Sequence, residues 1–340
     1  MGNCHIGKKS VRFAEPPTIA ATAAVVGKKE ALGPLADYFD IRNDDTTFGQ
    51  DSWEKAETQM QKLALQKVLE KAGCKEKNLD FAFVGDLLNQ CIGSSFSLRN
   101  TDIPTFGLYG ACSTMAESLL LASMCVAGGF AGTALAMSSS HFASSERQYR
   151  FPLGYGGQRT PTAQWTVTGA GAAILKKEGR GPYITSATVG TVVDWGIKDA
   201  NNMGAAMAPA AYSTIQAHFE DFGRIPADYD LIVTGDLGFL GRQIVTDLFR
   251  RDGISVEENY DDCGCMIYAR QEQDVHCGGS GCGCSASVLC AYLLRKMQEG
   301  RYRKILFCGT GALLSPTSTQ QGESVPAVCH AVSISTERNG

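Results

Sequence analysis

Cysteine is the residue type with the most chemical potential in this chain, and its placement is patterned. In GACSTMAESLLLASM, residues 110–124, Cys112 follows two small residues and opens a long apolar run. A thiol at a helix N-terminus faces free N–H groups and the positive end of the helix dipole, which favours the thiolate. Gly110 and Ala111 leave room for a substrate to approach. The competing reading is a small buried residue where an apolar helix starts, since free cysteine also behaves as a compact hydrophobe. The second half repeats the theme: GSGCGCSASVLCAYLLRKM, residues 279–297, again sets glycines and thiols before an apolar run, and CGTGALLSP, 308–316, adds Cys308.

Catalysis by Cys112 needs more than sulfur. Acyl transfer or carbon–carbon condensation requires a base and an oxyanion site built from His, Asn or a second Cys within hydrogen-bond reach. Two C-x-C pairs, Cys263/Cys265 and Cys282/Cys284, with Cys277 between them, invite a zinc reading, but structural zinc sites favour C-x₂₋₄-C spacing.

The whole chain narrows the options. It has 340 residues, 44% hydrophobic and 19% charged, with 38 glycines and a net charge of −4, which carries no electrostatic footprint for nucleic acid. Thirteen cysteines, an odd number, together with an opening MGNCHIGKKS that has no apolar core, read as free thiols in a reducing compartment. Residues 118–137 carry no charge over a length that could span a bilayer, yet Gly128, Gly129 and Gly132 interrupt them. Apolar helix, glycine turn and apolar strand is the expectation there.

The elements that must position the thiols recur. WEKAETQMQKLALQKVLEKA, 53–72, is amphipathic, with Ser52 to cap it and Gly73 to end it. A strand at 81–84 runs into Gly85-Asp86. After Cys112 come a buried helix at 114–126, a strand at 133–137 closed by Ser138–His141, a polar loop at 144–162 and a strand at 169–175. The second half offers a helix at 215–222 and a strand at 231–234 that runs into Gly235-Asp236. A Cys-led helix at 285–297 follows, then a strand at 304–307 ending in the Cys308–Gly311 turn, and a strand at 327–333. The period is about 165 residues, which indicates two copies of one βαβ-rich unit rather than a solenoid. Helices this apolar must be covered on all sides. The expected fold is therefore α/β, a five-layer α/β/α/β/α sandwich of two pseudo-repeated halves, 10–178 and 179–336, with the Cys-led helices in the middle layer.

This arrangement, with GACST opening a central helix, resembles the thiolase and ketoacyl synthase superfamily over about residues 10–335. Within it, the stretches FGQDSWEKAE, YGACSTMAESL, VVDWGIKDANNMGAAMAPAA and YDDCGCMIY resemble a sporulation family of spore-forming bacteria. The resemblance implies that Cys112 matches the acylated nucleophile and Cys308 the second cysteine of thiolases. The family's His and Asn positions fall on Asp236 and Cys282, neither of which can replace them; His276 lies six residues upstream of Cys282. A carboxylate near the thiol would raise its pKa and repel an oxyanion. The expectation is a thiolase-like fold kept as a binding pocket, with acyl transfer lost and Cys112 a vestigial nucleophile. The alternative is a cysteine-dependent condensing acyltransferase acting on an acyl-CoA or carrier-protein thioester.

The sporulation family implies a ligand, pyridine-2,6-dicarboxylic acid (dipicolinic acid), and assistance with its uptake into the forespore. A flat dianion suits a slot beside a helix N-terminus. By the family's geometry Cys112, His141, Phe142, Asp194, Asn201, Asn202, Met203, Gly235, Asp236, Cys308 and Gly309 would converge on it. Arg147 and Arg150 lie in the loop near its mouth. Asp194 and Asp236 could accept from a protonated acid or share a calcium ion with the ligand, although no dedicated calcium loop is present. No metal site and no organic cofactor is expected. The implied partners are the ligand, spore membrane channel proteins of the same system and a second copy of the chain, paired through an edge strand near 104–109. The implied location is the cytoplasmic side of the spore or forespore membrane.

Overall fold

The computed structural model describes residues 4–149 and 159–340. Strands are numbered β1–β15 and helices α1–α10 in chain order.

The two halves repeat the same pattern of strand neighbours. In the first half β3 (Thr18–Val26), β9 (Gly169–Lys176), β7 (Thr133–Ser140), β5 (Phe81–Gly85) and β6 (Thr105–Leu108) lie side by side. In the second half β10 (Tyr183–Thr188), β15 (Ala327–Ser335), β14 (Lys304–Ala312), β11 (Leu231–Thr234) and β12 (Tyr260–Asp262) follow in the same order. In each half the two pairs that link the first three strands are antiparallel and the two that link the last three are parallel. The sheets touch at a single pair, Thr18 with Tyr183. A hairpin of β1 (Cys4–Ile6) and β2 (Ser10–Arg12) crosses over to pair with β10, so residues 10–12 join the second half's sheet. The two-residue β4 (Ile41–Arg42) borders β3.

Helix α1 (Trp53–Ala72) covers the outer face of the first sheet and α5 (Met203–Phe222) that of the second. They start 150 residues apart, at 53 and 203, and are capped alike. Ser52 and Asn202 accept from the N–H three residues on, and Gly73 and Gly223 close the helices in the left-handed region that glycine tolerates best. Helix α5 begins twelve residues before the expected 215. Its Gly204 and Pro209 look like breakers, yet burial of Met207, Ala211, Ile215 and Phe219 against Ile232, Leu306 and Ala331 outweighs them. Met203 therefore starts a helix and Asn202 caps it, so neither sits in a free loop. Helix α6 (Gly238–Arg251) packs beside α5.

The middle layer holds α3 (Thr114–Ala127) and its counterpart, α8 (Cys282–Val288), which continues through a π-turn at Leu289–Leu293 into α9 (Leu294–Gln298). Met115, Leu119, Val126, Leu289 and Leu293 meet inward side chains of both sheets, among them Ala136, Leu175, Phe307 and Val332. Each such buried side chain contributes about 1.5–3 kcal/mol. With α1 and α5 outside, this gives five layers. The uncharged stretch 118–137 is shared by α3, a turn at Gly128–Gly129 and β7. No helix among the described residues is long and apolar enough to cross a membrane.

Two further departures bear on the site. Residues read as a polar loop from 144 begin with α4 (Phe142–Tyr149). The segment 308–311, read as a turn, continues β14 to Ala312. Its glycines permit close approach: a Cβ on Gly309 would lie 2.6 Å from the Ala116 Cβ, and one on Gly311 would lie 2.5 Å from the Gly110 carbonyl. The smaller elements are α2 (Ile92–Leu98), α7 (Cys263–Met266), α10 (Pro316–Gln320) and a ladder of β8 (Trp165–Thr166) with β13 (Gly279–Ser280).

Candidate functional site

A cavity of about 230 Å³ opens where the central helices begin. Cys112 lies in a tight turn just before α3, and Ala111 ahead of it adopts a left-handed φ of 52°, an uncommon conformation for a residue with a Cβ. Leu87, Leu313, Leu314 and Met203 supply apolar wall; Tyr109, Tyr149, Ser145, Thr166 and Ser280 supply hydroxyls; Glu146 supplies the carboxylate. The Tyr109 and Tyr149 hydroxyls are 2.8 Å apart, and Tyr149 donates to the Leu87 carbonyl. Thr166 donates to Glu146 at 2.9 Å.

Behind the thiol sits Asp236, fully buried at the end of β11. Its carboxylate accepts from the Gly281 N–H and the Thr310 hydroxyl, each at 2.8 Å, and lies near enough to the Cys112 thiol to raise the thiol pKa. Burial raises the Asp236 pKa to about 6, while the neighbouring thiol and the bonds from Gly281 and Thr310 pull it down. A second buried acid, Asp262, is raised to about 7 by burial and by the charge of Asp236, while bonds from Thr234, Leu237 and Gly238 pull the other way. Cys112 is pushed well above the ordinary thiol value, first by burial, then by Asp236 and Cys282. Desolvation and a carboxylate outweigh the helix dipole, which alone would favour the thiolate.

The histidines lie elsewhere. His141 is buried, with Nε2 2.8 Å from the Thr46 carbonyl and Nδ1 accepting from the Ala143 N–H; burial lowers its pKa. Phe142 stacks on Trp165 with ring centroids 3.9 Å apart. Both residues line a separate, smaller cavity with Lys28, Lys29 and Trp53, not the one at Cys112. His276 pairs with Asp274. Cys282, at the position that resemblance gives to a family catalytic residue, donates from Sγ to the Ser139 carbonyl at 2.9 Å. It adjoins Cys112 and Leu87 in one small buried cluster.

Of the other expected site residues, Met203 lines the cavity and Gly235 lies buried against Ser285 and Thr310 at the base of the Asp236 turn. Gly309 packs beneath Ser113 and Ala116. Cys308 is a correction: strand alternation points Phe307 and Gly309 at the central helices, while Cys308 packs with the α5 layer beside Cys329. Asp194 is also corrected. It is exposed and holds the Ser324 hydroxyl and the Gly196 N–H, so it cannot share an ion with the buried Asp236. Asn201 is exposed beside Asp199, and the Asn202 side chain is spent on capping α5. Arg147 pairs with Glu54 and lies over Trp53; Arg150 is outside the described residues. Cys263 and Cys284 are central core residues, Cys277 accepts from the Leu240 N–H, and no group of three or more metal-ligating side chains is found among the described residues. Tyr149, Ser145 and Glu146 escaped the sequence reading because α4 was taken for loop. Ser280 and Gly281 carried a signal in the GSG that precedes Cys282.

The paired α/β halves around Cys-led helices define a thiolase-like fold of the ketosynthase III type. Solved structures agree: 3-oxoacyl-[acyl-carrier-protein] synthase III of Aquifex aeolicus has a TM-score of 0.55 at 13% identity, over 94% of this chain and 99% of that one. Xanthomonas campestris OleA has a TM-score of 0.59 at 14% identity, over 98% of this chain and all of that one. Within that class, the family model described as stage V sporulation protein AD matches residues 7–335, and the chain belongs to this family. Stage V sporulation protein AD of Bacillus subtilis (strain 168) is 44% identical over 326 residues, 96% of both chains.

Proposed function

We propose that the chain binds pyridine-2,6-dicarboxylic acid in the Cys112 cavity without transforming it and assists its uptake into the forespore during sporulation. In this reading it is a soluble chain held at the cytoplasmic side of the forespore membrane by channel proteins of the same system, and it pairs with a second copy along β6. The observation that carries the reading is the partner of the thiol. Cys112 meets Asp236, an acceptor that holds the proton on sulfur, where an acylating cysteine needs a base that removes it. Leu87, Leu313 and Leu314 can flank a flat ring, and the Ser, Thr and Tyr hydroxyls can receive carboxylate oxygens that would otherwise lose their water unpaired. Calcium could accompany the ligand, carried by the dicarboxylate rather than by a protein cage.

The second reading, a condensing acyltransferase, is favoured by the structural neighbours, which include condensing enzymes, and by the retained Cys112. Titration calorimetry of the dicarboxylate into the protein tests the first reading. Saturable heat is expected, and its absence at millimolar ligand refutes the binding role.

A further inference from the structure

A second cavity lies on the other side of the wall that bounds the Cys112 site. Helix α4 contributes Phe142 and Ala143 to it but Glu146 and Tyr149 to the Cys112 cavity; in β8, Trp165 lines this one and Thr166 the other. It holds about 160 Å³, room for one ring with one acid group. Trp53 and the Phe142–Trp165 stack supply aromatic walls. Lys28 and Lys29 supply charge. The Lys29 ammonium lies 3.7 Å from the Trp165 ring centroid and donates to the Asp274 carbonyl at 3.1 Å. Burial and the Arg159 charge lower its pKa, more than Asp274 and Glu30 raise it. Neither lysine is in an ion pair among the described residues. The one acid in the lining, Glu30, is 1% exposed and already accepts from the Tyr268 hydroxyl and the Thr168 N–H; burial raises its pKa. His141 stays neutral, because burial lowers its pKa. Two lysines against a single buried acid leave this wall net positive, whereas the Cys112 cavity has no cation in its lining.

We infer that this cavity is a second binding site, for a small aromatic carboxylate. An ammonium half stripped of water gains from a charge-assisted hydrogen bond to an anion, and aromatic walls gain from a flat apolar body. A purely apolar ligand would leave the lysines without a partner, and a small inorganic anion would leave the rings uncovered. The inference does not depend on the ligand reading of the Cys112 cavity, and its failure leaves that reading untouched. A structural role predicts otherwise: if Lys29 only props the Trp165 ring, removing its charge lowers Tm and moves no ligand.

The test is tryptophan emission. The chain has three tryptophans; Trp53 and Trp165 line this cavity, while Trp195 is 55% exposed and outside its lining, so W195F reports the site. The probes are benzoate, its neutral isostere benzamide, and acetate, an anion without a ring. They are titrated at constant ionic strength into W195F alone and combined with K28Q or K29Q. Benzoate should change the emission saturably, with a Kd of about 1 mM for a ligand this small. Benzamide and acetate should bind at least about fivefold more weakly. Each lysine variant should weaken benzoate about fivefold, the share of one partly solvated ion pair, and leave benzamide unchanged. No saturable change well above that concentration overturns the inference. So does benzamide binding as tightly as benzoate. Benzoate binding that both lysine variants leave unchanged overturns it too, because the probe then sits outside this cavity.

Discussion

Replacing Asp236 by Asn isolates the group behind the thiol. The amide keeps an oxygen for the Gly281 N–H and turns its NH₂ toward Thr310, whose hydroxyl can accept as well as donate. The variant thus mimics the protonated acid. Asp236 is raised in the folded chain from 3.8 to about 6, so between those values the native state holds a proton that the unfolded chain has released. A raised acid pKa means stability is lost as pH rises. Each pH unit across that window costs about 1.4 kcal/mol, so the window as a whole removes about 3 kcal/mol, and nothing further is lost above it. D236N escapes that loss. Its stability should match the wild type near pH 4 and exceed it by up to about 3 kcal/mol at pH 8, roughly 5 °C in Tm for a chain of this size. Thermal unfolding of both proteins at intervals from pH 4 to 8 reads the difference directly. Parallel curves, or a variant less stable at pH 8, would refute the claim that a buried, strained carboxylate stands behind Cys112. Alkylation gives an independent check: Cys112 should react faster in D236N, yet remain slower than the exposed Cys4, because burial is the first cause of its raised pKa.

Two further outcomes follow from the same geometry. Incubation with acetyl- or longer acyl-CoA should leave no thioester on Cys112 by intact-mass and peptide mass spectrometry, because the sulfur stays protonated; a stable stoichiometric adduct would support the acyltransferase reading. On β6, an edge strand with Phe106 52% exposed, F106K should shift a dimer toward monomer in light scattering, and a wild type already monomeric would remove the pairing proposal.

Where one physical signal dominated, the sequence was legible. Helix α1 matches residue for residue because period, cap and terminal glycine all agree, and β11 matches because a short buried run sits between clear turns. The readings failed where signals competed. Gly204 and Pro209 hid the first three turns of α5, and the glycines of β14 read as a turn although they serve close packing on α3. The Ala-rich strand β3, at the end of the first sheet that meets the second, carries little periodicity because both faces are covered. Helix α4 was lost because Phe142–Tyr149 is largely polar and was taken for loop, which removed Ser145, Glu146 and Tyr149 from view.

The site shows a different limit. The sequence displays the same dipeptide twice, Gly85-Asp86 and Gly235-Asp236, at the ends of equivalent strands 150 residues apart. Both aspartates are buried and both have raised pKa values, caused first by desolvation. Their partners separate them. Asp86 accepts from the Leu88 N–H and from Ser94 through both its N–H and its hydroxyl, all local to the start of α2. Asp236 accepts from Gly281 and Thr310, on two other elements, and lies beside the thiol that precedes α3. One copy of the motif braces its own loop, although Cys282 of the opposite half lies near it; the other is bonded by elements from elsewhere in its own half and lies beside Cys112 of the opposite half. Spacing along the chain cannot distinguish these fates, since the deciding contacts come from elements far along the chain. A carboxylate at the reactive position of a repeated fold is therefore informative only once its neighbours are known, and here they keep the sulfur protonated.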